Sequence, residues 1–389
     1  MVPALTRFCP VPGANARLYL RPMGLLPVTA APGAWALAGG RFAFSLAELI
    51  VRDGPAIHRI LAPVPEILSW GRNAGSAVAE RLETLLAALT APRPPLAGLS
   101  LDRPRLMAVL NVTPDSFSDG GTFLDPGAAI IRGDVLRAAG ADLIDVGGES
   151  TRPGAAPVPA EEELRRVRPV IAALAARGAR LSVDTRHAAV MAGSLAAGAS
   201  LINDITGLAG DPESLPLLAA RNAPVVLMHM QGEPGTMQDT PRYIDAALDV
   251  YDWLEARVAA CRAAGIPLAN IAVDPGIGFG KSVNHNLECL RHLSLFHGLG
   301  MALLVGVSRK RFIAALSRDE PPMERLPGTL AAGLEAAAQG AQILRIHDVE
   351  AFAQARAVWE GLHPAALAGR GAAQQPDTGQ SAVRSDHGA

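Results

Sequence analysis

From about residue 105 onward, short apolar runs alternate with longer Ala- and Leu-rich stretches of helical spacing. The short runs cover residues 106–112, 143–147, 180–184, 201–205, 224–229, 271–274, 303–307 and 343–347, and each reads as a strand. Every run turns polar where it ends: Asn111, Asp145, Asp184, Asn203 with Asp204, His229, Asp274, Ser308 to Lys310, and Arg345 with His347. Eight βα units in roughly 255 residues predict an α/β chain folded as a (β/α)8 TIM barrel. An open doubly wound sheet is the rival arrangement. Polar residues at all the C-terminal strand ends favour the barrel, because there they converge on one face.

Residues 1–100 have a different texture. Prolines separate short apolar pieces such as Leu18-Tyr-Leu20 and Arg41-Phe-Ala-Phe44, and one helical stretch covers about 76–89. It runs into Ala91-Pro-Arg-Pro-Pro95, where successive prolines end a helix and favour extended chain. The predicted organisation is an N-terminal extension of uncertain fold over 1–100, the barrel over 101–365, and a tail over 366–389. The tail's Gly, Ala, Gln and Ser content predicts disorder.

Composition narrows the choice of function. Apolar residues make up 49% and charged residues 19% of the 389, enough for a large core, and the net charge of −2 gives no pull toward nucleic acid or anionic membrane. No run is long and apolar enough to predict a membrane span, and the start does not read as a secretory signal. The three cysteines, Cys9, Cys261 and Cys289, form no C-x-x-C pair and point to a reducing cytoplasm. Of the 35 basic residues only Lys281 and Lys310 are lysines. Coding bias accounts for the imbalance, yet the two survivors are candidates for places that need a compact ammonium.

The chemistry sits in the loops after the strands. Asn111-Val-Thr-Pro-Asp-Ser-Phe-Ser-Asp-Gly-Gly121 offers oxygens for a hard cation or hydroxyls for phosphate, or else forms a solvated turn. Gly147-Gly-Glu-Ser-Thr-Arg-Pro-Gly154 brings Thr151 and Arg152 within reach of an anion. Asp184 and Asn203, at neighbouring strand ends, make a carboxylate and amide pair suited to the amidine edge of a planar heterocycle; capping of strand ends is the plainer reading. Asp274-Pro-Gly-Ile-Gly-Phe-Gly-Lys281 looks like a phosphate loop but has Pro275 where that motif needs Gly, so it reads as a wall or lid carrying Phe279. Arg345 and His347 share one strand face, and with Lys310 they predict a cationic cluster. His229 reads as a core residue or as support behind the site. No G-x-S-x-G, H-E-x-x-H or paired-Cys pattern supports nucleophilic hydrolysis or zinc catalysis.

Taken in order along the chain, these segments resemble dihydropteroate synthase, over roughly residues 105–361. The resemblance implies a homodimeric barrel enzyme of folate synthesis, the family that sulfonamides target. In it 4-aminobenzoate displaces diphosphate from the exocyclic methylene of a dihydropterin diphosphate. It implies that Asp184, Asn203, Asp274 and Lys310 hold the pterin, and that Thr151, Arg152, Pro153, Arg345 and His347 contact substrate, the last two toward the diphosphate. Asp184, Lys310, Arg345 and His347 form the implied catalytic set. Asn111 is the implied magnesium ligand; Asp115, Phe117 and Pro153 close over the aminobenzoate, and Phe279 helps wall its site. Elementary chemistry agrees. Diphosphate leaves readily when cations take up its charge, the ring spreads the methylene cation, and a site closed to water keeps that cation for the arylamine.

Two departures from the family pattern stand out: Ile277, where some relatives carry Phe, and Arg311, where others carry Ser. The alternatives are a methyltransferase barrel that binds a methylated reduced folate, which would not need the Arg345 and His347 pair, and a non-catalytic pterin-binding paralogue, in which the loops would be damaged.

Overall fold

A computed structural model describes residues 12–13, 15–113, 126–150, 157–233 and 235–365. Eight parallel strands close into a barrel: β7 (Arg105–Asn111), β8 (Leu143–Gly147), β9 (Leu181–Asp184), β10 (Leu201–Asp204), β11 (Val225–Met228), β12 (Ile271–Asp274), β13 (Ala302–Val305) and β14 (Ile343–Ile346). β14 pairs with β7 to complete the ring. Helices connect the strands on the outside, among them α4 (Ala160–Ala176), α5 (Ala188–Ala196), α7 (Ala246–Ala263), α8 (Val283–Arg291) and α11 (Val349–Leu362). No helix among the described residues is long and apolar enough to cross a membrane.

Alternation along the strands builds the interior. Met107, Leu143, Leu201, Val226, Ala272, Ala302, Leu304 and Ile343 form an apolar floor cluster. Two positions further along the same faces stand Asp145, Asn203, Asp274 and Arg345, and a side-chain period of two carries these polar groups to the layer above the floor. The floor is closed from below by Leu96 and Leu99, which belong to the same cluster and exchange backbone bonds in a small turn. The boundary expected at residue 100 therefore falls past two side chains that are part of the barrel.

The extension has a definite fold. β1 (Arg17–Met23), β5 (Leu46–Asp53) and β6 (Ala56–Pro63) form an antiparallel sheet in the order β1-β5-β6. A second small sheet orders β2 (Leu26–Pro27), β4 (Phe42–Phe44) and β3 (Trp35–Ala36). The helices α1 (Val64–Ala74) and α2 (Ser76–Thr90) follow, α2 close to the range expected from sequence. Leu18, Leu20, Leu49 and Val51 face these helices, packing with Ile67, Trp70, Leu82 and Leu85. Tyr19 and Ile50, on the opposite face of the same strands, join the barrel's outer core. Polar contacts tighten the seam: Tyr19 donates to Asp252 at 2.7 Å, Arg52 pairs with Asp249 at 2.7 Å, Arg59 pairs with Asp245, and Arg93 donates to the His297 carbonyl at 2.9 Å.

Candidate active site

The mouth is organised around Arg345 on β14. Its Nε donates to Asp145 Oδ2 and its Nη2 to Asp184 Oδ2, both at 2.7 Å. Asn203 Nδ2 donates to the same Asp145 oxygen at 2.9 Å, so one buried carboxylate orients both a guanidinium and an amide. Burial opposes the charge on Arg345, but Asp145 and Asp184 more than offset it and raise its pKa. Asp184 still rises, to about 7: burial is the main cause, Asp145 and Asp204 add to it, and the single guanidinium is shared between two acids. Asp145 was only the end of a strand at the sequence level. The signal for its role was its place between Leu143 and Gly147 on the inward face.

Gly147 lies between Asn111 and Asp184 at this corner. A Cβ there would lie 3.6 Å from both Asn111 Oδ1 and Asp184 Cβ, so the two side chains flank Gly147 from the strands on either side.

Opposite, Asp274 at the end of β12 accepts the Gly276 amide at 2.7 Å and begins the glycine loop. Gly276 and Gly280 have φ of +67° and +56°, and a Cβ on Gly276 would stand 1.9 Å from the His229 carbonyl oxygen. The chain's two lysines grip this loop from both sides. Lys281 Nζ, buried, donates to the carbonyls of Gly276 at 3.0 Å and Phe279 at 3.1 Å and meets His229 Nδ1 at 2.9 Å. Burial and the Lys281 charge drive the His229 pKa down to about 2, so this ring is neutral and its Nδ1 accepts. His229 thus acts through Lys281, in support of the loop. Lys310 Nζ donates to the Ile277 carbonyl at 2.6 Å and sits 4.2 Å from the centre of the Phe279 ring. Part of Lys310 faces the mouth, yet its ammonium is packed closely enough that burial lowers its pKa to about 7, against the pull of Asp274.

His347 meets Ser308 Oγ at 3.0 Å through Nδ1 and at 3.1 Å through its backbone amide. Burial, with Arg345 and Arg309 nearby, lowers its pKa to about 3. The cationic cluster expected from Lys310, Arg345 and His347 is corrected accordingly. His347 is neutral because burial and neighbouring arginines disfavour its proton, and Arg345 is already engaged by two carboxylates across the barrel. Asn111, Asp184, Asn203, Asp274, Phe279, Lys310, Arg345 and His347 all lie at or beside the C-terminal strand ends. Thr151, Arg152, Pro153, Asp115 and Phe117, like the 366–389 tail, lie outside the described residues.

A closed barrel whose mouth presents buried carboxylates, an oriented amide and a lysine is a site suited to a planar nitrogen heterocycle. A family model for pterin binding enzymes matches residues 107–347. The dihydropteroate synthase of Escherichia coli K12 is 48% identical over 263 residues, 67% of this chain and 93% of that protein. A Xanthomonas albilineans dihydropteroate synthase structure with 4-aminobenzoic acid is 48% identical, covers 71% of this chain and 99% of its own, and superposes with a TM-score of 0.66. Another from the same organism, in complex with 7,8-dihydropteroate, is 45% identical, with coverages of 71% and 100% and a TM-score of 0.64. The chain belongs to the dihydropteroate synthase family of pterin binding enzymes. The family match begins after the extension.

Proposed function

We propose that the chain joins 4-aminobenzoate to 6-hydroxymethyl-7,8-dihydropterin diphosphate, releasing diphosphate and giving 7,8-dihydropteroate. The observation that carries this reading is the Asp145, Arg345, Asp184 and Asn203 network. Asn203 uses an N–H on Asp145, which fixes its amide and leaves its carbonyl oxygen as an acceptor for the ligand. Asp184 and Asp274 accept from ring N–H groups, and Lys310 donates to a ring acceptor. Phe279, in an apolar group with Ile205, Met228 and Met237, supplies a wall.

In the reaction the methylene C–O bond breaks and its electron pair leaves with diphosphate. The arylamine nitrogen then forms the new C–N bond and gives up a proton. Buried carboxylates beside the ring favour the positive charge that develops on it. Ser308 Oγ accepts from the His347 amide, and with its own hydrogen on Nδ1 the ring keeps an Nε2–H to donate to a leaving oxygen. Asn111 suits magnesium: it offers one hard oxygen at the end of β7, and this ion commonly keeps waters and substrate phosphates as its other ligands. Magnesium, when bound, neutralises charge on the diphosphate.

We propose further that the enzyme is a cytoplasmic homodimer. The buried free thiols Cys261 and Cys289 support a reducing compartment. Val358 and Leu362 support a dimer, as they expose apolar side chains four residues apart on α11. Light scattering on the full chain tests the dimer. The activity is tested by diphosphate release with each substrate alone and with both. Release that needs both, with dihydropteroate as product, is expected. Release from the pterin diphosphate alone would indicate hydrolysis, and binding without turnover a non-catalytic relative.

A further inference from the structure

Just past the end of β8, three side chains converge that the reaction above does not use. Glu149 follows β8, Glu163 lies in the first turn of α4, and His187 is the N-cap residue of α5. One ligand atom from each lies within 4.8 Å of the others. Glu163 is 0% exposed and packs directly under Gly148, where a Cβ would stand 2.9 Å from its Cγ. Among the described residues, neither Glu163 oxygen has a hydrogen-bond partner in good geometry. His187 Nε2 is likewise buried with no hydrogen-bond partner among the described residues, 4.0 Å from Glu163 Oε2.

A fully buried carboxyl with no donor is costly unless something balances it. None of the described arginines bonds to Glu163: one is held by Glu149 itself, whose Oε1 also accepts the Val158 amide at 3.1 Å, and another lies away from the cluster. Arg186 forks onto Glu149 at 3.1 and 3.0 Å, and Arg166 is engaged by Glu162 and the Gly148 carbonyl. The Thr185 hydroxyl comes near enough to pull the Glu163 pKa down against burial, but it does not reach either oxygen in good hydrogen-bond geometry.

We propose that Glu149, Glu163 and His187 bind one divalent first-row transition metal at a structural site separate from the Asn111 position. Two carboxylates and an imidazole nitrogen form a donor set of the kind zinc, cobalt and manganese take. Bonds of about 2.0–2.2 Å put ligand atoms of a tetrahedral site about 3.4 Å apart, so this cluster, with ligand atoms up to 4.8 Å apart, has to close by as much as about 1.4 Å. Magnesium fits poorly, since it favours oxygen ligands and a near-ideal octahedron. The dication offsets the charge that burial otherwise forces Glu163 to give up. Without it a proton takes that place: burial first, then the Glu149 and Asp184 carboxylates, push Glu163 up to about 8. Metal and proton compete, so affinity rises with pH. The bound ion ties the end of β8 to α4 and α5, immediately before the segment that carries Thr151.

The test uses untagged full-length chain, stripped with chelator, dialysed against zinc in excess magnesium and then desalted. Metal content is read by mass spectrometry, affinity from the visible absorption of added cobalt, and folding by circular dichroism. About one zinc per chain is expected in the parent and in His58→Ala, an exposed histidine on β6. His187→Ala and Glu163→Gln each lose it, with cobalt affinity down at least about tenfold. Zinc raises the melting temperature of the parent and of neither variant. Should one variant fail to fold, the other decides. A parent that retains no zinc, or a folded variant of either kind that retains as much as the parent, overturns the site and leaves a proton as the occupant.

Discussion

Lys310 is fixed by two unlike neighbours, a carbonyl at 2.6 Å and an aromatic face at 4.2 Å, with Gly278 against its stem. A guanidinium is planar and wider and cannot reproduce both contacts in that space. Lys310→Arg should therefore lower kcat/KM at least about tenfold, or about 1.4 kcal/mol, although charge is kept. Steady-state kinetics within twofold of the parent would refute this. Glu163 makes a prediction about stability. Its folded pKa of about 8 lies above the usual 4.5, so in chelated solution the folded chain holds a proton that the unfolded chain releases between those values. Stability is thus present at low pH and lost as pH rises through that window, by up to about 1.4 kcal/mol per pH unit. Denaturant titrations should show Glu163→Gln gaining on the parent from pH 5 to 8; parallel curves would mean Glu163 is already charged. At this scale the sequence was legible where a polar residue closes an apolar run, as at Asp184, Asn203, Asp274 and Arg345. It marked Asp145 only as one more polar strand end, since its partner Arg345 lies 200 positions away, and it left open the role of His229, whose partner Lys281 is distant in sequence. The charge of His347 depends on burial and on arginines from other elements.

Among the elements, the glycine loop between β12 and α8 depends most on a single side chain. Lys281 satisfies two of its carbonyls and the His229 ring from within. Lys281→Met keeps most of the stem but leaves those acceptors buried without a donor. A loss of about 2 kcal/mol or more in unfolding free energy is expected, together with a higher KM for the pterin substrate, because Asp274 and Phe279 flank the same loop. Equal unfolding midpoints for variant and parent would show that the loop holds itself. The loop's likeness to a phosphate-binding turn has a physical basis: both use glycines at positive φ and a terminal lysine. Here, however, the ammonium points back into its own backbone. The barrel strands were legible as elements because each is buried on both faces and so reads as a short apolar run, with observed ends within a residue or two of expectation.

For the molecule as a whole, the extension is the part that sequence left open. Its main sheet lies between its own helices and the barrel, so β1 and β5 carry apolar side chains on both faces and the alternation that marks a half-exposed sheet is missing. The same packing revises what truncation should do. Deleting residues 1–100 removes Leu96 and Leu99 from the barrel floor and also uncovers the outer face that Tyr19 and Ile50 cover. Deleting residues 1–90 uncovers only that face. The longer deletion should melt lower, since each floor leucine is worth about 1.5–3 kcal/mol of burial, while turnover per folded molecule stays near that of the parent in both. Calorimetry beside active-site-normalised kinetics checks this. Equal melting of the two deletions would show that the floor closes without the leucines.

The chain's only two lysines also make its backbone almost invisible to a lysine-specific peptidase. The candidate bonds follow Lys281 and Lys310 alone, and both side chains are held against the same glycine loop. The native enzyme should resist such a peptidase, and any cut should report opening of the pocket itself. Ligands that occupy the mouth should slow cleavage in proportion to their occupancy, so that a simple gel assay could measure pterin affinity in the absence of turnover.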